Sequence, residues 1–96
     1  MACQVLLEVE IVDGCEDQLK AKFVELLPDT RSFKGCIYIY LNQDLDDPSK
    51  IIIVELWESR EHYDQYLQWR TDRGDMEVLG SLMKNPSWRF LENWGV

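Results

Sequence analysis

Apolar and polar residues alternate over residues 4–12, with Val5, Leu7, Val9 and Ile11 on one side and Gln4, Leu6, Glu8 and Glu10 on the other. A period of two predicts a β-strand that buries one face. Asp13-Gly14 supplies the turn after it. Over residues 15–27 the period changes. Leu19, Phe23, Leu26 and Leu27 recur at helical spacing among charged residues, and Glu16 and Asp17 stand where a helix dipole favours negative charge. Pro28 is expected to end this helix, leaving residues 29–35 as a loop.

A second alternating run follows at residues 36–41, where Tyr38 and Tyr40 share one face and Ile37, Ile39 and Leu41 the other. Residues 42–49 are rich in turn formers and predict a hairpin connection. The acidic residues Asp44, Asp46 and Asp47 in that turn lack the glycine and distal glutamate of a calcium loop, so a solvated turn is expected. Residues 50–58 form the most apolar strand: Ile51, Ile53, Glu55 and Trp57 on one face, Ile52, Val54 and Leu56 on the other. Ser59 is placed to cap a helix on which Tyr63, Tyr66, Leu67 and Arg70 share a face. Gly74 fits a left-handed position after it. Residues 75–84 predict a shorter helix turned inward through Met76, Leu79, Leu82 and Met83, broken by Asn85-Pro86, and residues 87–94 a last strand.

The order βαββαβ predicts an α+β, ferredoxin-like domain with an antiparallel sheet and two helices on one face, spanning residues 1–96. The strand at residues 50–58 is apolar on both faces, which a sheet covered on both sides requires. Helices cover one side, and a chain this short has no second layer for the other. A homodimer is therefore expected.

No stretch reaches the ~20 apolar residues needed to span a bilayer, and the N-terminal residues do not read as a signal peptide. A net charge of −8 repels phosphate backbones and anionic lipid, so neither nucleic acid nor a membrane is an expected partner. Cys3, Cys15 and Cys36 are odd in number and lack CxxC spacing, which fits reduced thiols in the cytoplasm.

His62 is the single histidine and falls at a helix start, so neither a nucleophilic triad nor a metal constellation can be assembled. No nucleotide or flavin motif is present, and no cofactor is expected. An aromatic and polar group remains: Tyr66, Trp69 and Arg70 on the second helix, with Glu55, Trp57, Tyr38, Tyr40 and Trp88 on strands. Broad faces with polar tips suit a planar aromatic ligand, though they equally suit a core and a dimer interface. Glu55 is a carboxylate inside an apolar strand, which either an arginine partner or a general-base role would explain.

Thr30-Arg31, Gly35-Cys36, Asn42, Asp47-Pro48 and the run VELWESREHYDQYLQW at residues 54–69 together resemble the antibiotic biosynthesis monooxygenase family. Glu55, Trp57 and Ser59 ahead of a helix are the most telling part, and the resemblance covers essentially the whole chain. It implies a ferredoxin-like subunit of a dimeric α/β barrel. It also implies a monooxygenase, often cofactor-free, that oxidises electron-rich phenolic or quinol-like compounds with O2. The implied site has Tyr66 and Arg70 as reacting groups, Arg70 stabilising a phenolate, with Trp57, Trp69, Tyr38, Glu55 and Trp88 around the substrate. Many members carry a histidine nine residues beyond the strand tryptophan, where this chain has Tyr66. Where the haem-degrading branch carries a first-strand asparagine, a helix tryptophan and an axial histidine, this chain holds Leu7, Tyr66 and Met76, so haem is not expected. The other reading is a non-catalytic dimeric domain that binds a small aromatic or apolar ligand.

Overall fold

The computed structural model describes residues 2–96 and gives the order β1 (Cys3–Ile11), α1 (Glu16–Ser32), β2 (Cys36–Gln43), β3 (Lys50–Trp57), α2 (Arg60–Asp72), α3 (Asp75–Gly80) and β4 (Met83–Glu92). The strands form one antiparallel sheet in the order β2-β3-β1-β4. The helices pack on one face, as the ferredoxin-like pattern requires. β1 buries Val5, Leu7, Val9 and Ile11, and β3 buries Ile53, Glu55 and Trp57 on the same side. Each large apolar side chain taken from water there contributes roughly 1.5–3 kcal/mol.

The core has two halves. Leu7, Val9, Ile11, Leu19, Phe23, Leu26, Ile39, Ile53 and Leu79 make an aliphatic half. Cys3, Val5, Trp57, Tyr63 and Tyr66 make an aromatic half, with Phe33, Trp69 and Phe90 packed against it. Glu55 lies at the seam, paired across the sheet with Val5 on β1 and Ile39 on β2.

The opposite face carries Leu6, Tyr38, Tyr40, Val54, Leu56 and Leu91 in adjacent strand positions. No element of the described chain covers it, and Tyr40 stays 59% exposed.

Three boundaries differ from the sequence expectation. α1 does not stop at Pro28 but continues to Ser32. Proline removes its own N–H and its ring crowds the Val24 carbonyl that would have been the partner, but Val24 is solvent-exposed, so that carbonyl can tilt outward to water. The last turn is held by tertiary bonds: Arg31 Nη2 donates to the Ile39 carbonyl at 3.1 Å, and Thr30 is fully buried. α3 ends at Gly80, and β4 starts at Met83 instead of Ser87. β4 passes through Asn85-Pro86 because the register shifts there: Glu8 pairs with Ser87 but Glu10 with Lys84, so two residues oppose Val9. Asn85 takes φ 53°, and an edge-strand bulge tolerates the proline beside it. A second irregularity between Cys36 and Tyr38 leaves Ile37 exposed rather than inward.

Candidate functional site

α2 places its functional side chains by simple periodicity. Ser59 caps it, its Oγ accepting from the His62 N–H at 3.2 Å. His62 Nδ1 lies 2.6 Å from the same Oγ, so the single histidine belongs to the helix cap. Tyr63, Tyr66 and Arg70 then point inward at i, i+3 and i+7.

The aromatic half of the core closes around Tyr66. Its ring centroid is 5.0 Å from Trp57, 5.4 Å from Phe33 and 6.3 Å from Trp69. Trp57 lies 5.6 Å from Tyr63, and Trp88 Nε1 donates to the Tyr63 hydroxyl at 3.0 Å. Five sequence-predicted residues, Glu55, Trp57, Tyr66, Trp69 and Arg70, thus stand together, with Trp88 at the edge. Tyr38 does not join them. Strand alternation puts it on the uncovered face, where its hydroxyl donates to Gln4 Oε1 at 3.2 Å.

Arg70 is 1% exposed and spends its donors inside the protein. Nε donates to the Tyr66 hydroxyl at 3.0 Å, Nη1 to Asp75 Oδ2 at 2.9 Å, and Nη2 to the Leu26 carbonyl and Thr30 Oγ1 at 2.7 and 2.9 Å. The Tyr66 hydroxyl is 2.7 Å from Thr30 Oγ1. Burial would raise the Asp75 carboxyl, but the bonds from Arg70 and Arg73 outweigh it and hold it below its ordinary value. Burial holds the Tyr66 phenol above its ordinary value despite its bonds to Thr30 and Arg70. Arg70 is therefore a clamp joining α2 to the end of α1 and the start of α3. Thr30 and Asp75 complete this network, and sequence reasoning misses both. Thr30 falls in the stretch expected to be a loop, and no short-range pattern links Asp75 to Arg70.

Glu55 stands apart from that clamp. It is 3% exposed, and the one hydrogen bond its carboxylate receives comes from Trp57 Nε1 to Oε1 at 3.2 Å. No cation among the described residues is paired with it. Burial pushes its carboxyl up to about 7, against the smaller opposing effect of the indole bond. Of the two explanations the sequence allows, the arginine partner is not the one the fold provides.

Glu55 lines a cavity of about 50 Å³ between the sheet and the helices. Leu7, Ile39 and Ile53 form the floor with it, Phe23, Leu26, Leu27 and Thr30 the α1 wall, and Tyr63, Tyr66, Leu67, Met76, Leu79 and Met83 the remainder. That volume holds a few waters and falls short of the several hundred Å³ usual for a ligand pocket. A groove of about 520 Å³ runs along the other side of α1, over Ile11, Leu19, Leu41 and Ile51. Its size suits a ligand, but its cations are at the rim, and Arg31 already bonds the Ile39 carbonyl. The smaller cavity is the one that holds a buried ionisable group without a charged partner among the described residues. Phe23 and Leu27 line both spaces.

Among the described residues no three His, Cys, Asp or Glu side chains converge to hold a metal ion. No helix among them is long and apolar enough to cross a membrane.

The fold recurs in solved structures. A conserved protein from Methanosarcina mazei Go1 superposes with a TM-score of 0.88 at 17% identity, covering 97% of this chain and 93% of that one. A protein from Shewanella oneidensis gives 0.83 at 22% identity, covering 96% and 90%. An antibiotic biosynthesis monooxygenase gives 0.84 at 17% identity, covering 95% and 97%. These identities carry the fold alone. No curated protein matches the sequence. The family model for antibiotic biosynthesis monooxygenases matches residues 4–70, from the first strand through Glu55, Trp57 and Tyr66 to Arg70, and the chain belongs to that family.

Proposed function

We propose that this chain is a cofactor-independent monooxygenase, working as a cytoplasmic homodimer, that oxidises a small electron-rich aromatic compound of the hydroquinone or anthrone type with O2. The observation that carries this reading is the buried cavity, walled by apolar and aromatic side chains and holding an ionisable group with no ion-pair partner. Family membership supports the reaction class.

The chemistry asks little of such a site. A deprotonated anthrone or hydroquinone is a strong enough reductant to give its electrons to O2 directly, so the substrate supplies the reducing power. For an anthrone, the ring methylene and one molecule of O2 become a ring carbonyl and one molecule of water. The protein contributes a dry, shaped space and a group that moves protons. Tyr63 and Tyr66, the tyrosines of the cavity wall, offer rings against which a flat substrate can lie. Met76 and Leu67 are the wall residues that give way to it, because unbranched methionine repacks cheaply. The uncovered apolar sheet face supports the homodimer.

Oxygen uptake by purified, metal-stripped protein against a panel of hydroquinones and anthrones tests this reading. Uptake matched by formation of the corresponding quinone is expected. Saturable binding of the same compounds without uptake would favour the second reading, a non-catalytic aromatic-binding dimer, which the internal commitment of every Tyr66 and Arg70 polar atom also supports.

A further inference from the structure

We propose that Glu55 is the proton acceptor of this cavity, with the Glu55 oxygen that Trp57 does not hold as the atom that takes and returns the proton. The inference deepens the monooxygenase reading and rests on it for the oxidative steps.

The geometry argues by elimination and by position. Tyr66 and Arg70 have their polar atoms bound to each other, to Thr30, to Asp75 and to the Leu26 carbonyl, so neither has a free site for a substrate proton. His62 is bound into the α2 cap and is absent from the cavity lining. Glu55 lies in that lining with Oε1 fixed by the indole and Oε2 without a partner among the described residues. Its titratable neighbours are Tyr63 and Tyr66 from α2, the Cys3 thiol from β1 and the Cys36 thiol from β2. All are raised above their ordinary values, foremost by burial, so all are neutral at physiological pH and none competes for the proton. Placement beside apolar floor residues brings the Glu55 carboxyl to about 7, where both protonation states are populated.

Proton and electron bookkeeping closes on this one group. The carboxylate takes a proton from the substrate, whose electron pair stays behind as the anion. The anion reduces O2, a C–O bond forms, and the resulting peroxide anion takes the proton back from Glu55. The carboxylate then removes the remaining C–H proton. That electron pair becomes the carbonyl π bond, the O–O bond breaks, and the departing hydroxide leaves as water with the proton from Glu55. The carboxylate ends as it began.

The test uses two probes. The first is para-nitrophenol, which binds without being oxidised and is coloured when ionised. At mildly alkaline pH the dye bound to wild-type protein is expected to keep part of its phenolate band, and the dye bound to Glu55→Gln to lose it. If the wild-type cavity admits no dye, Met76→Ala in its wall supplies room for the same comparison. Identical spectra with glutamate and glutamine, or no binding in either background, overturn the proposal. The second probe is oxygen uptake with an anthrone. The wild-type rate should rise with pH through about 7, and Glu55→Gln should be at least about 100-fold slower with thermal stability no lower than the wild type's. A glutamine variant that keeps the rate overturns the proposal. A phenolate shift that depends on Glu55, with no oxygen uptake across the panel, leaves the proton site standing and removes the monooxygenase reading.

Discussion

Glu55 and Trp57 stand two residues apart on the buried face of β3, and the indole N–H of one holds a carboxylate oxygen of the other at 3.2 Å. The indole is a neutral donor. It orients the carboxylate without cancelling its charge, so the cost of burying the ionised form remains. The unfolded carboxyl ionises near 4.5 and the folded one near 7. Between those values the folded state keeps a proton that the unfolded state gives up. Stability is therefore full below about 4.5, falls as pH rises towards 7, and levels off above, with a total change of about 3 kcal/mol. Urea unfolding at a series of pH values should show this slope in the wild type and a flattened one in Glu55→Gln.

Arg70→Ala should destabilise the fold by about 3–5 kcal/mol, because it leaves Asp75 to the half-exposed Arg73 and removes a buried donor from the Leu26 carbonyl, the Thr30 hydroxyl and the Tyr66 hydroxyl at once. Chemical denaturation measures this directly. A variant with native stability and lost turnover would instead give Arg70 a role in the chemistry.

Thr30→Val keeps the shape but removes the oxygen that Tyr66 and Arg70 share, at an expected cost of about 1–3 kcal/mol. Thr30→Val and Tyr66→Phe together should cost less than the sum of the two. A double-mutant cycle in urea reads that difference.

Gly35 adopts φ +95°, and a Cβ added there would lie 2.5 Å from His62 Cβ, Cγ and Cδ2. Gly35→Ala is expected to lower the melting temperature through both the backbone strain, about 1–3 kcal/mol, and the collision. His62→Ala should fail to rescue it, since the His62 Cβ is itself one of the atoms struck.

The proposed homodimer predicts that Val54→Glu, on the uncovered face of β3, leaves the subunit folded and shifts it to monomer in sedimentation equilibrium.

The alternation along β1 and β3 and the i, i+3, i+7 face of α2 are legible because each reflects one local period against one core. Tyr63, Tyr66 and Arg70 point inward as that period requires. What sequence reading misses depends on contacts distant in the chain. Pro28 reads as a stop, yet the turn beyond it is held by Arg31 bonding Ile39 on β2 and by Arg70 of α2 bonding Thr30. Pro86 reads as a break, yet an edge bulge absorbs it. Residue type groups Tyr38 with the other aromatics, and strand parity sends it to the opposite face. The unpaired state of Glu55 is not readable either, because it depends on where Arg70 spends its donors.

Phe23 and Leu27 line both the Glu55 cavity and the larger groove, as a wall the two spaces share. Both compartments open on the helical side of the sheet. A second subunit seated against the uncovered face would leave that side clear. Assembly and admission would then be independent events, one on each side of a single layer of strands.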